Sequence, residues 1–466
     1  MFSAGKQAYE DIVNNTVDSG SAWETPTNFG ADAVAVPEGF SPSPPAGQSE
    51  SSTAATPFPV DTSKPYATAL AYMGADVQSW WEKEFPRVFG KPLEPLAGGV
   101  LYSNGVSIPN ITAKALECGV SSVEVAGNAF YSSCYDGIVY DDSELFQEQY
   151  IAYGDLALGV IVAHEWGHAV QARTGWPANS VTVESQADCF AGAWLASFRA
   201  GPGWGPKAEE SLPWALLAMA DLADASYVSD YGQSDNAHGS MFDRLGAMTE
   251  GMQAGTDACA KYTTTPPQSV LVKWDFSTER GQAEIGTAGE LTSEELAAML
   301  LSSVEPYWQA RAGAVATKMP TIQNLEKASA ACLIPAGSAG LAYCPSSNTM
   351  VYGDASQALP LEPLGDMSYV LAYTLSYLDA YKAATGSTTH RACLAGEWFR
   401  FMLDGKDPQF SISPPDVDEA TWMLLAADWA GTTSGARFEP VHVGEFRKGV
   451  LSGCGVPFVD PVLPRP

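Results

Sequence analysis

The chain has 466 residues, and its 24 Lys and Arg against 54 Asp and Glu give a formal net charge of −30 at pH 7. So anionic a chain is a poor partner for nucleic acid or for an anionic membrane surface, because both are bound through clustered cations. Charged residues make up 17% and hydrophobic residues 46%, which is a globular rather than a disordered composition. No apolar run approaches the roughly 20 residues of a membrane span, and the length allows two or three domains.

Residues 1–65 are predicted to form a flexible tail. The stretch 38–53 is rich in Pro, Ser and Gly and has no hydrophobic period, so a packed core is not expected there. The N-terminus lacks the charged-then-apolar pattern of a signal peptide. Either the protein is cytoplasmic, or a leader or anchor has been removed, and the cysteines bear on that choice.

The next region alternates helical and extended patterns. A helix containing Trp80-Trp81 comes first, and residues 99–102 and 137–141 are predicted as short strands. Two helices follow, joined at residues 175–177, where a glycine ends a helix and a proline prevents its continuation.

Internal repetition is visible in the cysteines. The first set of four is Cys118, Cys134, Cys189 and Cys259, and the second is Cys332, Cys344, Cys393 and Cys454. The third cysteine of each set opens a similar hexapeptide, Cys-Phe-Ala-Gly-Ala-Trp and Cys-Leu-Ala-Gly-Glu-Trp. Residues 155–175 also align without gaps to residues 366–386, with five identities in 21 positions. We therefore predict a duplicated module.

The predicted architecture is α+β and helix-dominated, with a small sheet in each copy. The first domain covers residues 66–262, a linker covers 263–290, the second domain covers 291–458, and a C-terminal tail covers 459–466. The second copy begins with Thr-Ser-Glu-Glu at residues 292–295, a capping-box pattern that starts a helix.

A metal-binding motif lies in the helix before residue 175, in the segment His164-Glu165-Trp166-Gly167-His168. Side chains four residues apart lie on one face of a helix, so both imidazoles can bind one metal ion. Glu165 can then reach a water in the open coordination position. The apolar run 156–163 indicates a buried helix, in which two histidines and a carboxylate would be costly without a metal.

A third ligand is predicted on the following helix. The extended pattern His-x-x-Gly-x-x-His is not present, because positions 171 and 174 are Gln and Thr. A helix hairpin would instead bring Glu184 back beside the two histidines. Two His and one Glu leave zinc a fourth position for water, as in catalytic sites. Asp188, one turn later, suits an acceptor for the free imidazole N–H of one ligand.

Several short segments of the first domain, taken in chain order, match the motifs of a known family. They are Cys118-Gly119, Phe130-Tyr131 with Cys134, Ile-Val-Tyr-Asp at 138–141, Ala163 to Gln171, Glu184 to Gly192, and His238-Gly-Ser with Arg244 and Gly251 before Cys259. In these segments the chain resembles the bacterial neutral zinc metallopeptidases. The resemblance implies a zincin-like core, zinc on His164, His168 and Glu184, and Glu165 as the catalytic residue. The chain departs from the family at Ala169, where members tend to have His.

Residues and resemblance both imply hydrolysis of peptide bonds. Zinc lowers the pKa of its bound water toward about 7 and polarises the carbonyl, and Glu165 carries the proton to the leaving amine. The oxyanion needs a donor, for which His238, Arg244 and Tyr131 are candidates. For His238, a role in capping or loop packing is an equal alternative.

The second copy does not keep the metal-binding positions. The residues opposite His164, Glu165, His168, Glu184 and Asp188 are Leu375, Ser376, Asp379, Thr388 and Ala392. His390 lies nearby but has no partner at helical spacing. We therefore expect one zinc ion per chain and a degenerate second copy that serves as a packing partner, a substrate exosite, or both.

The cysteines show no metal spacing such as Cys-x-x-Cys, and their repeated order suggests disulfides. The favoured pairs, among the three connectivities open to each set, are Cys118–Cys134, Cys189–Cys259, Cys332–Cys344 and Cys393–Cys454. Because disulfides persist outside the cytosol, we expect an extracytoplasmic protein, secreted or tethered to the cell surface, whose leader is absent from this chain.

The expected partner is a peptide or protein substrate. The alternative is a non-catalytic surface-binding protein that uses a duplicated zincin scaffold with a vestigial or structural zinc. Glu165 discriminates between the two functions, because a purely structural site does not need a glutamate beside its first ligand.

Overall fold

The computed structural model describes residues 58–201, 204, 206–223, 238–268, 293–324, 341–344, 347–352, 365–427 and 441–455. Of these, the residues up to Pro267 belong to one compact unit, and those from Gln268 onward belong to a second. Helices dominate both units, and each unit contains one three-stranded sheet within its described residues. The helix-dominated α+β class predicted from the sequence is confirmed.

The first unit begins with a long helix, continues through a small sheet, and ends in a group of helices. Its elements are α1 (Ala67–Phe89), β1 (Gly99–Ser103), α2 (Ala113–Glu117), α3 (Ser122–Val125), β2 (Ala129–Ser132), β3 (Gly137–Asp141), α4 (Leu145–Tyr153), α5 (Asp155–Thr174), α6 (Ser180–Arg199), α7 (Pro206–Asp221), α8 (Met241–Ala254) and α9 (Thr256–Cys259).

The sheet of the first unit has the order β1-β3-β2. Strand β1 runs parallel to β3, with Gly99 opposite Gly137. Strand β2 runs antiparallel to β3, with Tyr131 opposite Ile138, and it forms one edge of the sheet. The central strand β3 is buried along its whole length. Both β2 and β3 pack against α5, so this edge of the sheet lies beside the helix that carries the metal-binding motif.

The packed part of the chain begins earlier than the predicted tail boundary at residue 65. Phe58 is buried against α1, where a Cβ on Gly74 would meet its ring. The Tyr140 hydroxyl donates to the Pro59 carbonyl at 2.8 Å. The Asp61 N–H donates to Asp142 Oδ2 at 3.3 Å. Residues 58–65 are therefore held to the unit by apolar contacts and by hydrogen bonds that local composition does not reveal. Residues 1–57 of the predicted tail lie outside the described part of the chain.

Helix α5 is buried on all sides from Leu156 to Ala163 and beyond, because it packs against α1, α6, α7 and the sheet. Its last turn is closed by the Gly175 N–H, which donates to the Gln171 carbonyl. Helix α6 begins after Asn179, whose side chain accepts from the Thr182 N–H. The structure thus contains the helix hairpin expected from the glycine and proline at positions 175 and 177.

Helices α6 and α8 cross with their backbones in contact. A Cβ on Gly192 would clash with the Met248 carbonyl oxygen, and a Cβ on Gly251 would clash with the Cys189 carbonyl oxygen. The Cys189–Cys259 disulfide joins α6 to the end of α9, immediately after α8. A second disulfide, Cys118–Cys134, links α2 to the turn between β2 and β3.

The second unit has a similar order of elements in its described residues. They are α10 (Ser293–Met299), α11 (Glu305–Ala312), β4 (Thr321–Asn324), β5 (Leu341–Cys344), β6 (Thr349–Tyr352), α12 (Asp366–Thr385), α13 (Arg391–Leu403), α14 (Pro414–Ala427) and α15 (Val441–Ser452). A π-helical turn at 300–304 joins α10 to α11. The sheet order is β4-β6-β5, with β4 parallel and β5 antiparallel to β6.

A close helix crossing also occurs in the second unit, between α13 and α15. A Cβ on Gly396 would clash with the Phe446 carbonyl oxygen, and a Cβ on Gly449 would clash with the Cys393 carbonyl oxygen. The Cys393–Cys454 disulfide lies beside this crossing. Cys332, Thr292 and most of the predicted linker and C-terminal tail lie outside the described residues. Within those residues, no helix is both long and apolar enough to span a membrane.

The close α6–α8 crossing predicts that adding one methyl group at a crossing glycine strongly destabilises the fold. Overpacking a core costs about 1–3 kcal/mol, and we expect Gly251→Ala to lower the free energy of unfolding by about 3 kcal/mol because its obstacle is backbone. The measurement is urea denaturation of the full chain, followed by circular dichroism. Gln253→Ala, at an exposed position of the same helix, is the control and should leave the transition unchanged. An unchanged transition in Gly251→Ala would contradict the tight crossing.

Candidate metal centre

Three side chains from two helices converge in the first unit. His164 and His168 on α5 and Glu184 on α6 each offer one ligand atom, and these atoms lie within 4.8 Å of one another. The two imidazole Nε2 atoms are 3.1 Å apart. A Glu184 carboxylate oxygen lies 3.2 Å from His164 Nε2, and the other lies 3.5 Å from His168 Nε2. The structure thus brings together the three ligands predicted from the sequence.

Both imidazoles are held through their other nitrogen. His164 Nδ1 lies 2.7 Å from Asp188 Oδ1, and His168 Nδ1 lies 2.8 Å from Gln171 Oε1. Because a carboxylate and an amide oxygen accept hydrogen bonds, each Nδ1 carries the proton. Each Nε2 therefore presents a lone pair toward the other imidazole and toward the Glu184 carboxylate.

This arrangement of donors favours a cation between them. Lone pairs facing one another at such distances repel unless a positive charge lies between them. A tetrahedral zinc ion with ligands at about 2.0–2.1 Å would separate them by about 3.3 Å, which agrees with the three distances observed. Two His nitrogens and one carboxylate oxygen also form a donor set that zinc commonly takes. The residues present therefore fit a zinc ion.

The electrostatics of the cluster also favour added positive charge. Burial lowers the pKa of His164, but the Asp188 and Glu184 carboxylates outweigh this effect and raise its pKa to about 10. Burial raises the pKa of Glu184, and the two imidazoles reverse this effect and lower it below its usual range. The carboxylates would thus draw a proton onto His164 when no other cation is bound.

Arg244 lies behind Asp188 and away from the three ligand atoms. Its Nε donates to Asp188 Oδ2 at 2.9 Å, and a terminal nitrogen donates to Oδ1 at 3.0 Å. Another nitrogen donates to the Leu222 carbonyl. Asp188 is fully buried and Arg244 nearly so, and the charge pair compensates the cost of burial. Arg244 therefore positions Asp188, which in turn orients His164, and its role as an oxyanion donor stays a prediction.

Gln171 is an orienting residue that the sequence reasoning missed. Its amide nitrogen donates to the Val183 carbonyl at 2.7 Å, so its oxygen must face His168. The side chain is fully buried. Gln171 lies three residues after His168 and hence on the same face of α5, which is the sequence signal that could have identified it.

Glu165 faces the cluster from the neighbouring position on α5. It is 6% exposed, and its Oε2 has no hydrogen-bond partner. Burial raises its pKa, and the two nearby imidazoles only partly offset this effect. The backbone N–H of Tyr131, on edge strand β2, lies close enough to favour the charged carboxylate. A buried carboxylate oxygen without a partner is costly, so this atom is arranged to receive a proton or a donor.

The Tyr131 hydroxyl is directed away from the cluster. It donates to Asp136 Oδ1 at 2.7 Å, and Arg173 pairs with the same carboxylate. Burial and the bond to Asp136 raise the pKa of Tyr131 to about 12. A carboxylate is a stronger acceptor than any neutral group, so it holds the hydroxyl. Tyr131 thus reaches the site through its backbone, and the role of its hydroxyl as an oxyanion donor stays a prediction.

His238 lies beside the cluster, at the mouth of a pocket of about 400 Å³. The pocket is lined by residues 177–180, Val183, Glu184 and His238. His238 is exposed and precedes Ser240, the residue that caps α8. Of the three candidate oxyanion donors, only His238 therefore presents its side chain to a pocket that Glu184 also lines.

The corresponding positions of the second unit hold no such cluster among its described residues. Leu375 is buried, the Ser376 hydroxyl donates to the Ala372 carbonyl, and Asp379 pairs with Arg391 at 2.8 Å. The second unit does contain an all-carboxylate group made of Asp366, Asp416 and Glu419. One oxygen each of Glu419 and Asp416 already accepts from a backbone N–H, and an all-oxygen set is not one that zinc prefers.

Comparison with known families gives one match. A family model described as "putative neutral zinc metallopeptidase" matches residues 27–262, slightly more than half of the chain. No curated protein and no solved structure matches the chain. The matched region includes all three ligands, Glu165 and their orienting partners.

The hydrogen bond from His168 to Gln171 predicts a measurable effect on metal affinity. Gln171→Leu would leave the buried His168 N–H and the Val183 carbonyl without partners, so we expect the zinc dissociation constant to rise about 10–100-fold. Competition with a chromogenic chelator measures this change. Gln147→Leu, at an exposed glutamine on α4, is the matched control. An affinity equal to that of the parent protein would show that Gln171 does not orient the ligand.

Proposed function

The chain belongs to the neutral zinc metallopeptidase family, and we propose that it hydrolyses peptide bonds at the centre formed by His164, His168 and Glu184. The observation that carries the proposal is the combination of three converging donors with a buried, unpartnered Glu165 oxygen beside them. A structural zinc site would need the donors but not the adjacent carboxylate. The substrate is a peptide or protein.

The ligands would be His164 Nε2, His168 Nε2 and a Glu184 oxygen, and bound zinc would lower the pKa of a water molecule and polarise the carbonyl. Glu165 accepts the proton of the attacking water at Oε2 and transfers it to the leaving amine nitrogen. Burial raises the pKa of Glu165 above its usual range, which favours acceptance of a proton by its carboxylate. Asp188 and Gln171 keep the two imidazoles in one tautomer through the cycle.

Substrate positioning is assigned to edge strand β2 and to His238. The outer edge of β2 lies beside Glu165. An extended peptide can pair with a strand edge through hydrogen bonds between the two backbones. His238 lines the pocket next to Glu184 and is the candidate donor for the oxyanion, since Arg244 and the Tyr131 hydroxyl are held elsewhere.

We also propose that residues 291–458 form a degenerate copy of the domain at 66–262. Support comes from the matching strand orders β1-β3-β2 and β4-β6-β5. Further support comes from the glycine crossings beside Cys189 and Cys393, which open the repeated hexapeptides. The copy would lack zinc, because Leu375 and Thr388 replace His164 and Glu184 and because Asp379 pairs with Arg391. It would act as a packing partner or substrate exosite.

The proposed location is outside the cytosol. Three disulfides of the described residues, Cys118–Cys134, Cys189–Cys259 and Cys393–Cys454, support it, since such bonds persist in oxidising compartments. The net charge of −30 also fits a surface that has no nucleic-acid partner.

The catalytic proposal predicts that Glu165→Gln retains zinc and loses hydrolysis. Loss of the general base should reduce the cleavage rate by at least about 100-fold. The measurement is cleavage of a randomised peptide library, with metal content determined on the same samples and a chelator-treated parent protein for comparison. Glu148→Gln, an exposed glutamate on α4, is the control. Full activity in Glu165→Gln would contradict the general-base role. Absence of chelator-sensitive cleavage by the parent protein would favour a binding protein with a structural zinc.

The degenerate-copy proposal predicts the metal stoichiometry. We expect one zinc per chain after dialysis, and none in His164→Ala, because the ligand cluster occurs once in the described residues. Asp379→Asn, at the corresponding position to His168 in the second unit, should leave the value at one. The measurement is the molar ratio of zinc, from elemental analysis, to protein. Two zinc ions per chain would contradict a second unit without metal.

A further inference from the structure

Trp176 is more exposed than the other described tryptophans of the first unit. It follows α5 directly after Gly175, and 47% of its surface is exposed. Trp81, Trp166 and Trp194 in the same unit are buried. The indole of Trp176 lies beside the ligand His168, with ring centroids 6.2 Å apart and planes inclined by 26°. A large apolar ring is thus presented to solvent next to the metal ligands, where a substrate would pass.

The pocket beside Glu184 starts at the residue after Trp176. Its volume of about 400 Å³ falls in the range of small-molecule sites and is large enough for an aromatic side chain. Pro177, Ala178 and Val183 contribute apolar surface, and Asn179 and Ser180 contribute neutral polar groups. Among the described residues, no Lys, Arg or Asp lines the pocket. Its ionisable side chains are Glu184, which the metal would engage, and His238.

We propose that Trp176 and this pocket receive an aromatic side chain of the substrate, next to the bond that is hydrolysed, and that Trp176 determines the preference for it. The inference rests on the proposed function, because it places a peptide at the metal centre. An aromatic ring gains from contact with an indole face in offset-stacked or edge-to-face geometry, which a charged or small side chain cannot match. The neutral polar groups of the pocket would accept or donate to a tyrosine hydroxyl, so the substrate class is peptides with Tyr or Phe at this position.

Peptide capture tests the proposal without requiring hydrolysis. Zinc-loaded Glu165→Gln protein is immobilised and incubated with a randomised octapeptide library, and the bound peptides are sequenced. We expect enrichment of Tyr and Phe at one position. The same selection with Glu165→Gln/Trp176→Ala should lose that enrichment, and Glu165→Gln/Trp176→Phe, which keeps a ring, should retain most of it. Leu116→Ala, at an apolar residue that is 58% exposed elsewhere in the unit, is the control for general surface hydrophobicity.

A matched pair of fluorescent octapeptides, identical except for Tyr or Ala at the selected position, then measures the contribution of the ring. We expect the Tyr peptide to bind Glu165→Gln protein at least about tenfold more tightly, and Trp176→Ala to remove that ratio. Zinc content is measured for every variant, because Trp176 neighbours a ligand. Capture of no peptide, equal enrichment with Trp176→Ala, or no aromatic preference would overturn the inference. Cleavage by the parent protein is assayed separately, so failure of the proposed hydrolysis is distinguished from failure of this subsite.

Discussion

The metal centre depends on how closely α5 and α6 approach each other at Gly167. A Cβ at this position would lie 2.7 Å from the Ala187 Cα, so any larger residue would force the helices apart. Glu184 and Asp188 flank Ala187 on α6, and both must reach imidazoles on α5 at hydrogen-bonding or ligand distance. The glycine within the His-Glu-Trp-Gly-His motif is therefore as necessary to the ligand geometry as the histidines. An outward shift of about 1 Å would place Glu184 beyond the ligand distances that zinc accepts.

The two histidines are oriented by partners of different chemistry that add no net charge. His164 is held by a carboxylate that Arg244 neutralises, and His168 is held by an amide that a backbone carbonyl fixes in place. Among the described residues, the uncompensated negative charge next to the imidazoles thus comes from Glu184 and Glu165. With a divalent cation bound, such a set keeps the site electrophilic, which a further uncompensated carboxylate would diminish.

The sequence predicted the elements that carry the site but not every contact within it. Helical spacing and the breakers at 175 and 177 are local signals, and they were sufficient for α5, α6 and the three ligands. The partners of Arg244 and of the Tyr131 hydroxyl were not predicted. Asp188 lies 56 residues before Arg244 and is brought to it by helix packing, whereas Asp136 is placed beside Tyr131 by the turn between β2 and β3. Packing of the segment from Phe58 was missed for the same reason, since its partners on α1 and β3 are distant in sequence.

The glycine crossings have an evolutionary consequence. In each unit the crossing requires only that two positions carry no side chain. This requirement does not depend on which residues line a neighbouring cleft. Substitution of a metal-facing residue therefore leaves the backbone contact and its disulfide intact, whereas substitution of a crossing glycine disrupts the fold whatever the cleft contains. Selection can act on the two sets of positions independently. A unit of this design can drift in chemistry, or lose it entirely, and still be inherited as a stable scaffold.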